Sequence, residues 1–421
     1  MQTNDKKQAD EAGTWSLAGR LEGIGEYYFS QKLREIDALN KQGKNIINLG
    51  IGSPDLPPHP DVVRALQEEG AKPNVHAYQS YKGAPVLRQA MAVWYRQWYQ
   101  VELNPDTEIL PLIGSKEGIL HICMTYLNEG DGVLVPNPGY PTYRSAVKLA
   151  GGRVIEYLLT RENHWMPDLE VLDKMLSSAP AALEPVSKGA ADPKPKMMFV
   201  NYPHMPTGQL PDRSFFDALV AFAKKHHILL VHDNPYSFIL NDEPMSLLAV
   251  TGAKDVVIEL NSLSKSHNMA GWRVGMLVGD SRRVEEVLRF KSNMDSGMFL
   301  PLQLAAAKAL GLPRSWYESV NAVYRRRREY AYNLLELLGC EFDKTQAGMF
   351  VWARIPSTYV DGYALSDELL YQANVFITPG GIFGNAGDGY IRVSLCSPEE
   401  KLQESLERVR TIKGTKILAD V

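Results

Sequence analysis

The residues best suited to chemistry stand in the run Ser262-Leu-Ser-Lys265-Ser-His-Asn-Met-Ala-Gly-Trp-Arg273. One lysine lies among small hydroxyl residues just past the apolar run Val256-Val-Ile-Glu-Leu260, and Arg273 follows it. The apolar run reads as a buried strand, and Met269 to Val278 as a turn into another. A lysine at a strand end beside hydroxyls and an arginine suits a phosphorylated carbonyl compound. Its amine would form a Schiff base, while Ser262 and Arg273 bind the phosphate as hydrogen-bond donor and bidentate fork. A Ser-x-Ser-Lys met in isolation is more often an exposed loop, so the weight falls on its company.

Three further stretches supply that company. Gly114-Ser115-Lys116-Glu117-Gly118 falls where a strand turns into a helix. Free backbone N–H groups there, with the Ser115 hydroxyl, make a natural phosphate seat; the same serine reads equally well as an N-cap. His232-Asp233-Asn-Pro-Tyr236 follows a buried strand. A carboxylate at that strand end would pair with a protonated ring nitrogen, and the tyrosine would donate to a ring phenolate. The plainer alternative is an aspartate that starts a turn. Pro136-Asn-Pro-Gly-Tyr140-Pro offers a rigid aromatic suited to stacking on a flat cofactor, or else an ordinary turn with a core tyrosine.

Positioning such residues needs a regular scaffold, and the apolar runs supply one. Ile109 to Ile113 precedes a predicted helix from about Ser115 to Leu127, and Val133 to Val135 one from Tyr143 to Ala150. Met197 to Val200 precedes one from Phe215 to His226, with Ile228 to Val231 next. This alternation predicts an α/β fold, a mostly parallel sheet with helices on both faces and ligands beyond the carboxyl ends of the strands. Ahead of it, Leu17 to Leu39 has the pattern of an amphipathic helix, and Ile46 to Asp55 of a short strand entering a Gly/Pro loop. Residues 1–15 read as a loose arm and 177–195, rich in Pro, Ala, Gly and Ser, as a surface insertion. From about Pro301, a long helix (Ser315 to Leu338) and short strands (Met349 to Ala353, Tyr390 to Ser394) predict a smaller α+β domain. The division is therefore 1–55 as arm and part of the small domain, 56–300 as large domain and 301–421 as small domain.

Composition bounds the function. With 421 residues, 45% hydrophobic and 22% charged, the chain can bury a sizeable core. A net charge of −4 gives no footprint for nucleic acid. Cys123, Cys340 and Cys396 are far apart and fit neither a metal nor a disulfide framework, which points to the cytoplasm. The polar N-terminus lacks the apolar core of a secretion signal, and no stretch has the length of a membrane span.

Together these residues resemble the PLP-dependent aminotransferases of fold type I, class I/II, from about Arg20 to Arg410. The motifs fall in the family's order: Gly50-Ile-Gly-Ser-Pro-Asp55, Tyr78 to Gly83, Gly114 to Gly118, Tyr140, and the Pro-Thr-Gly at 206–208. Asp233 with Tyr236, Lys265 with Arg273, and Arg392 complete the set. The Gly-Ser-Lys-Glu-Gly, Asn-Pro-Gly-Tyr-Pro and Tyr27-Tyr-Phe segments look closest to the LL-diaminopimelate aminotransferase-like group. The resemblance implies that Lys265 carries pyridoxal 5′-phosphate (PLP) and later shuttles a proton. Asp233 would keep the ring nitrogen protonated, so that the ring withdraws electrons. It implies further that Tyr236 donates to the ring oxygen O3′ and Tyr140 stacks on the ring. Ser115, Lys116, Ser262, Ser264 and Arg273 would hold the phosphate, and Tyr78 would reach the phosphate of a neighbouring subunit in a homodimer. Arg392 would clamp the substrate carboxylate, which Gly52 lets the backbone approach.

The sequence departs from the family at Asn201-Tyr-Pro-His204-Met205-Pro206-Thr-Gly208, where methionine replaces the usual asparagine that donates to O3′. Methionine has no N–H to give; His204, one residue earlier, either compensates or equally well points elsewhere. The activity implied is transamination between an L-amino acid and a 2-oxo acid. The alternatives are β-elimination from cysteine conjugates and a non-catalytic PLP-binding sensor, the latter disfavoured by the retained Lys265, Asp233, Tyr236 and Arg392. Met294, Ser296, Met298 and Phe299 occupy a stretch that often lines the family's side-chain pocket; their apolar character suggests neutral or aromatic donors, and core packing explains them equally well.

Overall fold

The computed structural model describes residues 15–26, 28–178 and 194–419. The expected arm up to residue 14, most of the expected insertion (179–193) and Tyr27 lie outside the described residues.

The strands in chain order are β1 (Ile47–Asn48), β2 (Ile109–Leu112), β3 (Gly132–Asn137), β4 (Arg153–Leu158), β5 (Pro195–Asn201), β6 (Leu229–Asp233) and β7 (Val257–Ser262). After them come β8 (Gly275–Gly279), β9 (Glu341–Phe342), β10 (Phe350–Arg354), β11 (Val375–Phe376), β12 (Thr378–Pro379) and β13 (Tyr390–Ser394). Seven form one sheet in the order β2-β8-β7-β6-β5-β3-β4. Its pairings are parallel except that β8 runs antiparallel to both β2 and β7. Strands covered on both faces read as continuous apolar runs, which is why β2, β3 and β7 were legible. The edge strand β4 was not foreseen: Arg153 and Glu156 interrupt its apolar residues, as suits a half-exposed edge.

Helices α1 to α5 span Tyr28–Lys41, Pro60–Gly70, Pro85–Tyr99, Ser115–Tyr126 and Pro141–Leu149. One face of the sheet buries Met197, Phe199 and Leu260 against α4, α5 and the helix Ser281–Lys291. The other buries Met198, Val200 and Leu230 against α3 and the helices Arg213–His226 and Leu300–Leu310. Glu259, an acid within an apolar run, has a structural cause. Fully buried, it accepts hydrogen bonds from Tyr95 Oη at 2.9 Å and Ser246 Oγ at 2.7 Å, with His232 Nδ1 at 2.9 Å. A buried carboxylate so satisfied ties β6 and β7 to α3.

The smaller α+β domain is a four-stranded antiparallel sheet, β12-β13-β10-β9, packed with the helices Arg314–Leu337, Gly362–Ala373 and Glu399–Ala419. The beginning of the chain joins it: β1 pairs in parallel with β11, and Ile36 of α1 packs on Leu370 and Phe376. The helix expected from Leu17 begins only at Tyr28. A 3₁₀ turn at Gly19–Leu21 precedes it, and Gly23 takes a left-handed φ of 71° that breaks the helical path. Among the described residues no helix is long and apolar enough to cross a membrane.

Candidate active site

The carboxyl ends of β5, β6 and β7 bring Asn201 beside Asp233 and place Ser262 nearby. Ser262 accepts from the Ser264 amide at 3.1 Å, capping the short helix Leu263–Ser266 that carries Lys265. A cavity of about 650 Å³ opens over these ends. Gly52, Ser115, Lys116, Tyr140, Asp233 and Tyr236 line it, as do Ser262, Ser264, Lys265, Arg273 and Arg392. The structure therefore gathers these eleven sequence-derived candidates into one cavity, while Tyr78, which is 90% exposed, lies outside the lining, as do His204 and the stretch Met294 to Phe299.

One end of the cavity is built for an anion. Helix α4 starts after Gly114, whose φ is 81° and which has no side chain to cap the first amides of the helix. A Cβ on Gly114 would collide with the Arg273 guanidinium, and one on Gly275 would meet the Ser115 amide nitrogen at 2.6 Å. Both glycines are what allow arginine and helix start to converge. Arg273 itself has left-handed backbone, φ 58°, and donates to Ala270 O at 2.8 Å. Burial, with Arg273 adding to it, holds the Lys116 amine below the usual lysine range. Ser262 Oγ donates to Ser264 Oγ at 2.8 Å, keeping both hydroxyls at this end. Cations, hydroxyls and a helix N-terminus gathered in this way could hold a phosphate.

The middle of the cavity fits a protonated heteroaromatic ring. Asp233 Oδ2 accepts from the Tyr143 hydroxyl at 2.8 Å, while Oδ1 is buried with no hydrogen-bond partner among the described residues. Burial pushes this carboxyl up to about 6, against the downward pull of Tyr143 and His232. A ring N–H is the donor that the orphaned oxygen lacks. Tyr140 stands at the start of α5, edge-on to Tyr143 at 5.6 Å. Burial raises the Tyr236 phenol, which keeps it a donor, with Arg392 opposing the shift. Lys265 Nζ donates to Gly52 O at 2.6 Å, and burial, with Arg392 and Arg273 adding to it, lowers its amine. An amine with weakened basicity is a nucleophile in waiting. These residues fit PLP on the evidence of the orphaned oxygen and the glycine-cleared phosphate seat.

The opposite end holds Arg392 on β13. Its guanidinium carbon lies 3.8 Å from the Phe350 ring centre and 4.7 Å from that of Phe383. Nη2 donates to Gly50 O at 2.8 Å, and Nη1 approaches Met205 Sδ at 3.3 Å. Gly52 is needed here for a reason the sequence did not give: a Cβ would strike the Phe350 ring. Met205 lines the cavity, whereas His204 does not; its Nδ1 lies 2.7 Å from Thr207 Oγ1, and burial pushes the imidazole down to about 3. The stretch expected to line a side-chain pocket also lies elsewhere. Met298 is in the core, and Met294 and Phe299 are exposed, Phe299 stacking on His76 at 5.9 Å. Tyr143, Phe29, Leu33 and Phe383 line the cavity and were not anticipated as site residues. Tyr143 was within reach, three residues after Tyr140; the others arrive only by tertiary approach.

Away from the cavity, Glu117, His121 and Asp295 converge with their ligand atoms within 4.8 Å of one another. The chain supplies its own cation there, since Lys291 Nζ lies 2.5 Å from Asp295 Oδ2.

Comparison with known proteins agrees with this geometry. The family model for aminotransferase class I and II matches residues 44–409. The LL-diaminopimelate aminotransferase of Dehalococcoides mccartyi is 40% identical over 399 residues, covering 94% of this chain and 99% of that protein. Transaminase BacF of Bacillus subtilis is 39% identical over 386 residues, covering 91% and 93%. The substrate-bound BacF structure superposes with a TM-score of 0.87 at 36% identity, over 95% of this chain and 98% of that one. With a family model matching most of its length and relatives about 40% identical over nearly all of it, the chain belongs to the class I and II aminotransferases and is a PLP-dependent transaminase.

Proposed function

We propose that Lys265 is the residue that carries the cofactor and that the remaining lining residues divide the work of one amino-group transfer. When bound, PLP supplies an aldehyde for amine exchange and an electron-withdrawing ring. Lys265 Nζ would hold the cofactor's aldehyde and would move the proton at the substrate Cα. Asp233 Oδ1 holds the proton on the ring nitrogen, Tyr236 donates to O3′, and Tyr140 covers the ring. Ser115, Lys116, Ser262, Ser264 and Arg273 bind the phosphate. Arg392 binds the α-carboxylate of the amino acid, then that of the 2-oxo acid, with Gly52 beside it. The observation that carries this reading is the placement of the Lys265 amine in one cavity with an unpartnered Asp233 oxygen and the Arg392 guanidinium.

The same reading makes the enzyme a homodimer in which the partner subunit's Tyr78 completes the phosphate seat. Support comes from the 90% exposure of Tyr78 and from exposed Met294 and Phe299. It divides the chain at about residues 55 and 300, with the first segment returning to the small domain, as β1 and α1 do. A cytoplasmic home accords with Cys123, Cys340 and Cys396 being buried and joined in no disulfide among the described residues. Borohydride reduction of reconstituted enzyme, followed by peptide mass analysis, tests the assignment. The reduced cofactor's mass should appear on the peptide carrying Lys265, and Lys265→Ala should neither gain it nor transaminate. Colourless wild-type protein with no added mass, or an active Lys265→Ala, would overturn it.

A further inference from the structure

A single guanidinium ties together the two backbone segments that build the Arg392 end of the cavity. Arg325 to Arg328 form a run of four arginines on the helix Arg314–Leu337. Arginines on a helix surface are ordinarily solvated, and Arg325 and Arg326 are exposed accordingly. Arg327 is only 3% exposed. Its Nη1 and Nη2 donate to Asp55 Oδ1 and Oδ2 at 2.6 and 2.8 Å, and Nη1 also donates to Leu395 O at 3.1 Å.

These two partners stand at the ends of one construction. Asp55 ends the loop that starts at Gly50, and Gly50 O accepts from Arg392 Nη2 at 2.8 Å. Leu395 directly follows β13, the strand that carries Arg392. Between them the loop is laced to the strand. Ser394 donates through its amide to Leu49 O and through Oγ to Ile51 O, both at 2.8 Å. Arg392 and the carbonyl that aims it therefore lie on separate segments, and Arg327 grips both. Neither Arg327 nor Asp55 is part of the cavity lining.

Taking a guanidinium and a carboxylate out of water offsets much of their attraction, so such a pair adds little stability. What it supplies is direction, because a bidentate fork fixes distance and plane together. We propose that Arg327 and Asp55 are positioning residues for recognition of the α-carboxylate. Their pair sets residues 50–55 against β13 and so sets the aim of the Arg392 guanidinium. The proposal rests on the role given to Arg392 above and adds two residues that act through it.

Half-reactions of the holoenzyme with matched amines, followed by the change in cofactor absorbance, test it. Alanine is compared with ethylamine, and glutamate with 4-aminobutanoate, the second of each pair lacking only the α-carboxylate. Asp55→Asn keeps the size of the side chain but leaves one acceptor oxygen for the fork. It should raise KM for alanine and glutamate about tenfold, as a displaced binding group does, with kcat changed less than about threefold. Cofactor content, the cofactor's absorbance and the reactions of ethylamine and 4-aminobutanoate should stay as in wild type. Arg327→Lys, which keeps the charge and loses the fork, should repeat the pattern. Equal losses with both members of each pair, loss of cofactor, or an unchanged KM would overturn the proposal. So would failure of both variants to fold, which would make the pair a requirement of the fold alone. A wild type that reacts no better with the amino acids than with their decarboxylated counterparts would instead remove the role of Arg392, so the two readings fail in different ways.

Discussion

The Tyr143 hydroxyl donates to Asp233 Oδ2 across 2.8 Å, inside protein that leaves neither group exposed. Tyr143 is fixed by a stacked contact with Phe199, 4.8 Å between ring centres at 10°, so its hydroxyl position does not depend on the cofactor. The bond favours the ionised aspartate against the burial that pushes it up to about 6. In the role proposed for it Asp233 serves the ring nitrogen only as a carboxylate, so activity should fall as pH drops through the pKa this carboxyl has in the loaded enzyme. A charge-assisted hydrogen bond is worth ~1.5–3 kcal/mol, or about one to two pH units. Tyr143→Phe should keep the Phe199 stack and the fold but move the acid limb of kcat/KM upward by about one unit. A pH–rate profile with an unmoved acid limb would show that Tyr143 merely fills space.

Arg392 gives a second test, because its surroundings discriminate between cations. Its plane lies over Phe350 while Nη2 and Nη1 reach Gly50 O and Met205 Sδ in different directions. Lysine offers a point charge without the plane or the fork. Arg392→Lys should therefore raise KM for the amino donor by about ten- to a hundredfold while leaving the bound cofactor's absorbance in place. Loss of cofactor together with substrate affinity would instead make Arg392 part of the PLP seat.

Much of this site was legible because its residues occur at strand ends in local motifs. Asp233 ends β6, Ser262 ends β7, and Ser115 starts α4, so each was placed by a run of apolar residues that ends at the right point. The large domain was legible for the same reason. What escaped was set by contacts between distant segments. Nothing near Gly52 announces that Phe350 needs its missing Cβ, and nothing near Phe29 that α1 crosses the cavity. Met298 and Phe299 were expected either at a pocket or in the core; in the protomer the turn at Gly297, beside Gln79 O and Ser80 O, leaves Met298 buried in the core and Phe299 exposed, outside the lining of this protomer's cavity. The Gly23 break in the expected first helix was readable in principle, since glycine punctuates helices, but the amphipathic pattern around it was followed instead.

Met205 provides the test most particular to this chain. Its amide is fixed by Asn201 Oδ1 at 2.9 Å, and its thioether lies at the cavity wall beside Arg392. His204 cannot replace a missing donor to O3′, because it lies outside the cavity lining with its Nδ1 beside Thr207. Tyr236 is then left to stabilise the O3′ oxygen without help from position 205. An oxygen less well stabilised as the phenolate makes the neighbouring imine nitrogen hold its proton more tightly. One neutral hydrogen bond contributes ~0.5–1.5 kcal/mol, so restoring it should matter by up to about one pH unit. Met205→Asn should lower the midpoint of the cofactor's visible pH titration by that amount, with Tyr236→Phe moving it the opposite way. Superimposable titrations of wild type and Met205→Asn would mean that position 205 does not reach the ring oxygen, and that the methionine matters only as the neighbour of Arg392.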